Sequence, residues 1–251
     1  MHALNVLNPV DQENLALQRR KVRAESALPA SFVPKLVCKP SRGQDTLKIG
    51  IFGGLHGDEE AGTLATYELM RWAWNDPPEL QDYELHLYPI CNPSGRRLGT
   101  RHTLSGADLN REFWSGSQEV EVQYLEAELR REKYHGLISL HSDDETDGLY
   151  GFASGALFSE QILVPALSAA SSVLPLDKRP IIDGFIAFHG LIRESYQGIL
   201  SAPPEQSPKP LEIVFETPAL APMDRQVEAT VIAVKSMLAE YRQLISYAAN
   251  I

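Results

Sequence analysis

The sequence predicts an α/β protein: a three-layer α/β/α sandwich around a mixed, largely parallel sheet. Three observations lead there. Short apolar runs rich in β-branched residues recur at 47–52 (LKIGIF), 83–90 (YELHLYPI), 136–140 (GLISL) and 211–215 (LEIVF). Segments with helical spacing separate them, and strand–helix alternation of this kind implies parallel strands covered on both faces. The residues able to do chemistry cluster where those runs end, which is where open α/β sheets gather their ligand-binding loops.

Taken in order, residues 1–45 read as a helical and irregular appendage, with a polar helix over 11–26 followed by Pro29, Pro34 and Pro40. Residues 46–251 read as a single catalytic domain. The run 47–52 is apolar throughout, as a strand buried on both faces should be. Gly53-Gly54 ends it, and Ala61, Ala65, Leu69 and Trp72 mark a helix that stops near Asn75, before Pro77-Pro78. After the second strand, a loop rich in Gly, Arg and Ser runs from Cys91 to about Gly116. Residues 118–134 read as a charged, exposed helix, and 157–173 also read as helical. The last helix starts near Asp224, where Val227, Val231, Val234, Leu238, Tyr241 and Ile245 form one apolar stripe.

The 251 residues suffice for one large core. The formal net charge of −10 argues against nucleic acid or an anionic membrane as partner, since either calls for a basic face. No run approaches the length of a membrane span, and 1–23 lacks a secretory signal pattern. Two cysteines are too few for a disulfide framework or a thiolate zinc site. A cytoplasmic protein is expected. Nothing in the sequence sets its oligomeric state.

The segment Gly53-Gly54-Leu55-His56-Gly57-Asp58-Glu59 follows the first strand directly. A histidine and a carboxylate three apart can face one point and offer a metal one nitrogen and one oxygen. Alone, the pair reads more readily as a surface turn with a capping acid. His141 closes the strand GLISL, and a catalytic zinc needs a third ligand while leaving one position open. The set His56, Glu59 and His141 therefore outweighs its parts. His2, His86, His102, His135 and His189 are left out of the metal shell. Glu216, at the end of LEIVF, suits a general base beside a metal-acidified water. The loop 92–113 carries Arg96, Arg97, Arg101 and Arg111, whose guanidinium groups can clamp a carboxylate or polarise a carbonyl. Solvation is the plainer reading for Arg96 and Arg97.

These residues resemble the zinc metallocarboxypeptidase family, with its carboxypeptidase A-like fold. The resemblance rests on HGDE at 56–59, NPSG at 92–95, Arg101, DLNR at 108–111, LHS at 140–142 and FET at 215–217. It implies one zinc ion on His56, Glu59 and His141, with Glu216 as base and Arg101 as carbonyl polariser. It also implies that Asn110 and Arg111 hold a substrate carboxylate, that Asp108 orients His56, and that Tyr196 is a mobile substrate-facing tyrosine. The short interval from Glu59 to His141 is more like a compact bacterial branch, the murein-peptide amidases and the succinylglutamate desuccinylase/aspartoacylase group. Murein-peptide amidases cleave a γ-glutamyl link to diaminopimelate. NPSG departs from the commoner NPDG at a position that is not a ligand. The implied activity is hydrolysis of an amide in a small carboxylate-bearing peptide by a metal-activated water. N-acyl-amino-acid deacylation is the alternative. A non-catalytic binding module would have lost a ligand or the base, and none is missing.

Overall fold

In a computed structural model, which describes residues 32–40, 46–75, 77–194 and 196–248, the chain builds one nine-stranded mixed sheet. The strands are β1 Leu36–Cys38, β2 Leu47–Gly53, β3 Tyr83–Tyr88, β4 Gly136–Asp143, β5 Tyr150–Ala153, β6 Ile181–Ile182, β7 Phe185–Phe188, β8 Leu191–Ile192 and β9 Leu211–Pro218. Their order is β1-β3-β2-β4-β9-β5-β8-β7-β6. The centre, β3-β2-β4-β9, is parallel. Antiparallel pairing begins at β1 on one side and at β5 on the other. The sheet is thus mixed, but parallel mainly at its core. The short strands β5 to β8 carry too little periodicity to be read from sequence, and they supply most of the antiparallel half.

Two further differences are physical. Strands β4 and β9 run past the apolar segments GLISL and LEIVF and stay in register to Asp143 opposite Pro218. His141 and Glu216 are consequently paired strand residues, not loop residues. Backbone hydrogen bonding continues although the side chains turn polar. And β1 lies within the stretch read as an appendage: Val37 pairs with His86 across an antiparallel ladder. The polar helix expected over 11–26 falls outside the described residues.

Helix α1, Glu60–Trp74, buries Ala61, Ala65 and Leu69 at fourfold spacing. Helix α2, Pro93–Leu98, is a single turn and a half capped by Asn92. Helix α3 is Val120–Glu132. Helix α4 is continuous in three pieces, Ala156–Phe158, a π turn Ser159–Leu163, and Val164–Ala170. Helix α5 is Met223–Ala248. Its deepest residues are Ala229, Ala233, Val234, Met237 and Leu238, and all six residues of the stripe read from sequence lie in this core or pack against it. The alanines let α5 approach α1 and α4 closely.

Period-two alternation divides the sheet between two cores. Ile49, Ile51, Leu85, Ile138, Leu140 and Phe215 face the first, beneath α1, α4 and α5. Phe52, Tyr88 and Leu137 face the second, where Val122, Leu125 and Leu129 of α3 cover them. Helix α3 is therefore not simply exposed, because its narrow apolar stripe is masked in sequence by charge. It covers the β2–β3 side of this face. The β4–β9–β5 side is left open, and the candidate site lies there.

Candidate metal centre and substrate cavity

The turn after β2 is shaped by two glycines. Gly54 has φ of +62°, a conformation that L side chains rarely adopt. At Gly57 a Cβ would lie 2.0 Å from the backbone of Gly95. The turn thus packs directly on the NPSG loop, which is pinned in return: Cys91 N–H donates to Gly53 O (3.0 Å) and Asn92 N–H to Gly54 O (2.8 Å). Asn92 Oδ1 caps α2 by accepting from Gly95 N–H at 2.8 Å. Ser94, the residue that makes NPSG unusual, is buried and donates to Glu121 Oε1 at 2.9 Å, tying the loop to α3.

This scaffold brings together side chains 85 residues apart in sequence. His56, Glu59 and His141 are all buried, and each offers one donor atom within 4.8 Å of the others. His56 Nδ1 touches Glu59 Oε1, and His141 Nδ1 lies 2.8 Å from Glu59 Oε2. Glu59 Oε2 also accepts from the Ser142 backbone N–H at 3.1 Å. On the far side of its ring, His56 Nε2 is 3.0 Å from Asp108 Oδ1. An Nε2–H donated to Asp108 leaves the Nδ1 lone pair facing the cluster, the arrangement that metal-binding histidines adopt. Two imidazole nitrogens and one carboxylate, converging from three chain positions, fit a divalent ion such as zinc.

The electrostatics agree. Burial disfavours charge on Glu59, but both histidines outweigh it and hold the carboxyl down at about 2. Burial keeps His141 below the ordinary imidazole range. Burial also opposes charge on His56, yet its hydrogen bonds to Asp108 and Glu59 leave it raised. The cluster therefore centres on an ionised Glu59.

Glu216 stands opposite His141 in the β4–β9 register and opposite Tyr150 in the β5–β9 register. Burial pushes its carboxyl well above the usual range, the carboxylates of Glu59, Asp143 and Asp183 add to this, and Arg101 opposes it. Arg101 donates from Nε to Asp108 Oδ2 at 3.0 Å, and its Nη1 lies 3.6 Å from Glu59 Oε1. Arg97 is exposed and Arg96 reaches only Glu60, at 3.3 Å, so neither joins the cluster.

Arg111 and Tyr196 do meet: the guanidinium sits 4.6 Å above the ring. Tyr196 donates its hydroxyl to Asp183 Oδ2 at 2.7 Å. Both line a cavity of about 610 Å³. Asn110 does not line it. It is buried, its Oδ1 accepts from Leu200 N–H at 3.0 Å, and its Nδ2 lies 3.4 Å from His141 Nε2. Sequence reading missed Tyr150, whose hydroxyl donates to Asp143 at 3.0 Å, and missed Asp143 and Asp183 around Glu216. Asp143 was findable: it lies two residues past His141, on the same side of β4.

Residues 45–155 match the model of the succinylglutamate desuccinylase/aspartoacylase catalytic domain. No curated protein matches the chain. Among solved structures, a presumed metallopeptidase from Shewanella denitrificans is 23% identical over 90% of this chain and 88% of its own, with a TM-score of 0.68. A metallo-carboxypeptidase from Pseudomonas aeruginosa, in complex with (2-guanidinoethylmercapto)succinic acid, is 18% identical over 90% of this chain and 68% of its own, at TM-score 0.66. A succinylglutamate desuccinylase from Silicibacter is 18% identical over 82% of this chain and 60% of its own, at 0.56. This chain shares their fold.

Proposed function

We propose that this protein is a metal-dependent amide hydrolase of the carboxypeptidase or peptide-amidase type, acting on a small peptide that carries a carboxylate. The observation that carries the proposal is the convergence of His56, Glu59 and His141 within 4.8 Å, with Glu216 on the neighbouring strand in register with His141. The donor set suits zinc, while cobalt, nickel or manganese would also fit. A divalent ion held there supplies Lewis acidity that lowers the pKa of water and polarises a carbonyl.

The chain's own groups supply the remaining chemistry. Glu216 takes a proton on its carboxylate from the attacking water and returns it to the leaving amine, a shuttle helped by its raised affinity for protons. Arg101, held by Asp108, sits where it can stabilise charge developing on the carbonyl oxygen. Arg111 offers its guanidinium to the substrate carboxylate, with the Tyr196 ring beneath it. Asn110 acts one step removed, by fixing the His141 ring and the Leu200 loop. Asp108 fixes His56. Both cysteines are free, which suits a reducing cytoplasm, and no helix among the described residues is long and apolar enough to cross a membrane.

N-acyl-amino-acid deacylation is the second reading, favoured by the family-model match over residues 45–155. The open cavity next to Arg111 favours the peptidase. Zinc-loaded protein assayed against short peptides and against N-succinyl and N-acetyl amino acids separates the two. Peptide cleavage with the acylated amino acids untouched is expected, the reverse selects deacylation, and no hydrolysis of either defeats both.

A further inference from the structure

The cavity beside Arg111 has a second charged end that the hydrolytic chemistry does not use. Its floor is the open sheet face, formed by alternate residues of three strands: Leu137 and Ser139 on β4, Val214 and Glu212 on β9, and Phe152 on β5. Glu212 projects from the same side of β9 as Glu216, four residues earlier, which at a strand's rise of about 3.3 Å per residue puts it roughly 13 Å from the reacting end. The walls are largely apolar and aromatic, with Phe113, Phe152 and Leu200 among them, and Ser154 lies beside Glu212, its Oγ accepting from the Glu212 backbone N–H at 3.2 Å. Among the described residues, Arg111 and Glu212 are the only charged side chains that line this space.

We propose that Glu212 makes this cavity a specificity pocket for a terminal residue whose side chain ends in a cation, of the lysine or arginine type. The geometry gives a bipolar cradle. Arg111 meets the carboxylate of such a residue at the mouth, the apolar walls take the aliphatic stem, and Glu212 meets the distal ammonium or guanidinium. Among the described residues no cation hydrogen-bonds Glu212. Glu212 Oε1 accepts from the Ala202 backbone N–H at 2.7 Å. The nearby Lys209 spends its ammonium on the carbonyls of Pro203 and Pro204, at 3.4 and 2.9 Å. Burial accordingly leaves the Glu212 carboxyl above the usual range, only partly offset by Ala202 and Lys209. A ligand cation would relieve that burial cost, and charge-assisted hydrogen bonds are the strong kind. A neutral or acidic side chain would leave it unrelieved.

The direction of the ligand rests on the hydrolase reading, which sets the carboxylate at Arg111. The pocket itself can be tested apart from it. Calorimetric titration of the full-length, zinc-loaded protein with lysine against norleucine, and with arginine against citrulline, compares each cation with its neutral counterpart. The cationic member of each pair should bind on the order of tenfold or more tightly, the scale expected of a hydrogen bond to a charged partner. Glu212→Gln keeps an acceptor for Ala202 and should erase the difference, while Glu212→Asp should keep part of it. Equal binding within each pair, a preference that survives Glu212→Gln, or no binding of any of the four overturns the proposal. Selective binding without hydrolysis of any lysine- or arginine-terminated peptide would support the pocket and count against the hydrolase reading alone.

Discussion

Two networks of buried and half-buried ionisable side chains share one face of this sheet, and they are built to opposite ends. Under α3, Lys35 donates to Glu128 (2.9 Å) and Glu132 (2.8 Å), and Lys48 donates to Glu132 at 2.8 Å. Tyr88 joins Glu128 to Tyr134, and Tyr134 meets His86, whose other nitrogen is 2.7 Å from Glu84. The contacts pass from one group to the next instead of meeting at one point, so the network spreads out. At the carboxyl edge the ingredients are similar, namely the two histidines His56 and His141, the three carboxylates Glu59, Asp108 and Glu216, and Arg101. There the donor atoms of His56, Glu59 and His141 crowd a common point. Burial leaves His86 below the ordinary imidazole range, whereas His56 is raised by carboxylates on both ring nitrogens. The lesson is that convergence of donors, more than burial or charge, separates a site from a scaffold.

That contrast can be broken or sharpened by substitution. The largest effect should fall on Glu216→Gln, which removes a proton shuttle and should lower turnover by roughly 10²- to 10⁴-fold. Elemental analysis should show its metal content unchanged, and a loss of metal would make Glu216 a ligand instead of a base. Next, Asp108→Asn should weaken metal affinity by about 10- to 100-fold, the usual consequence of losing the partner behind a metal-bound histidine. Competition with a chromophoric chelator measures this.

In the other network the expectations reverse. Glu132→Gln leaves the half-buried Lys48 without its carboxylate and Lys35 with Glu128 alone, and should cost on the order of 1–3 kcal/mol in denaturant unfolding. Its metal affinity should match the parent's. A large fall in metal binding would mean that the two networks are coupled. The smallest effect concerns pH. Burial opposes charge on Glu132, but Lys35, Lys48 and Arg131 hold its carboxyl far below the usual range. A depressed folded pKa means that the unfolded chain binds the proton first. The stabilisation is then complete above the ordinary glutamate pKa of about 4.3 and is lost as pH falls below it. Denaturation midpoints between about pH 5 and 3 should fall more steeply for the parent than for Glu132→Gln, and parallel curves would remove Glu132 as the cause.

Much of the parallel core was legible because long apolar runs and Gly-Gly turns are local signals. The strands β2, β3, β4 and β9, and the three residues His56, Glu59 and His141, all lie in or beside such runs. What was hidden is non-local. Strands β6 and β8 are two residues each and exist through pairing, not pattern. The apolar stripe of α3 is three residues deep among charges. Asn110, taken from its motif as a substrate contact, is turned inward by Leu200, 90 residues away in sequence. Glu212 carried a usable signal, the alternation that puts it on the side of Glu216, but nothing local said that the face beneath it would be left open.

The central claim is that His56, Glu59 and His141 form one metal site, and a stoichiometric titration tests it most directly. The parent protein, stripped with a chelator and titrated with zinc, should bind one equivalent per chain and gain thermal stability, by about 4 kcal/mol at a thousandfold excess over Kd. His141→Ala should bind far more weakly and gain little. No stoichiometric binding by the parent, or an undiminished zinc response in His141→Ala, would contradict the account.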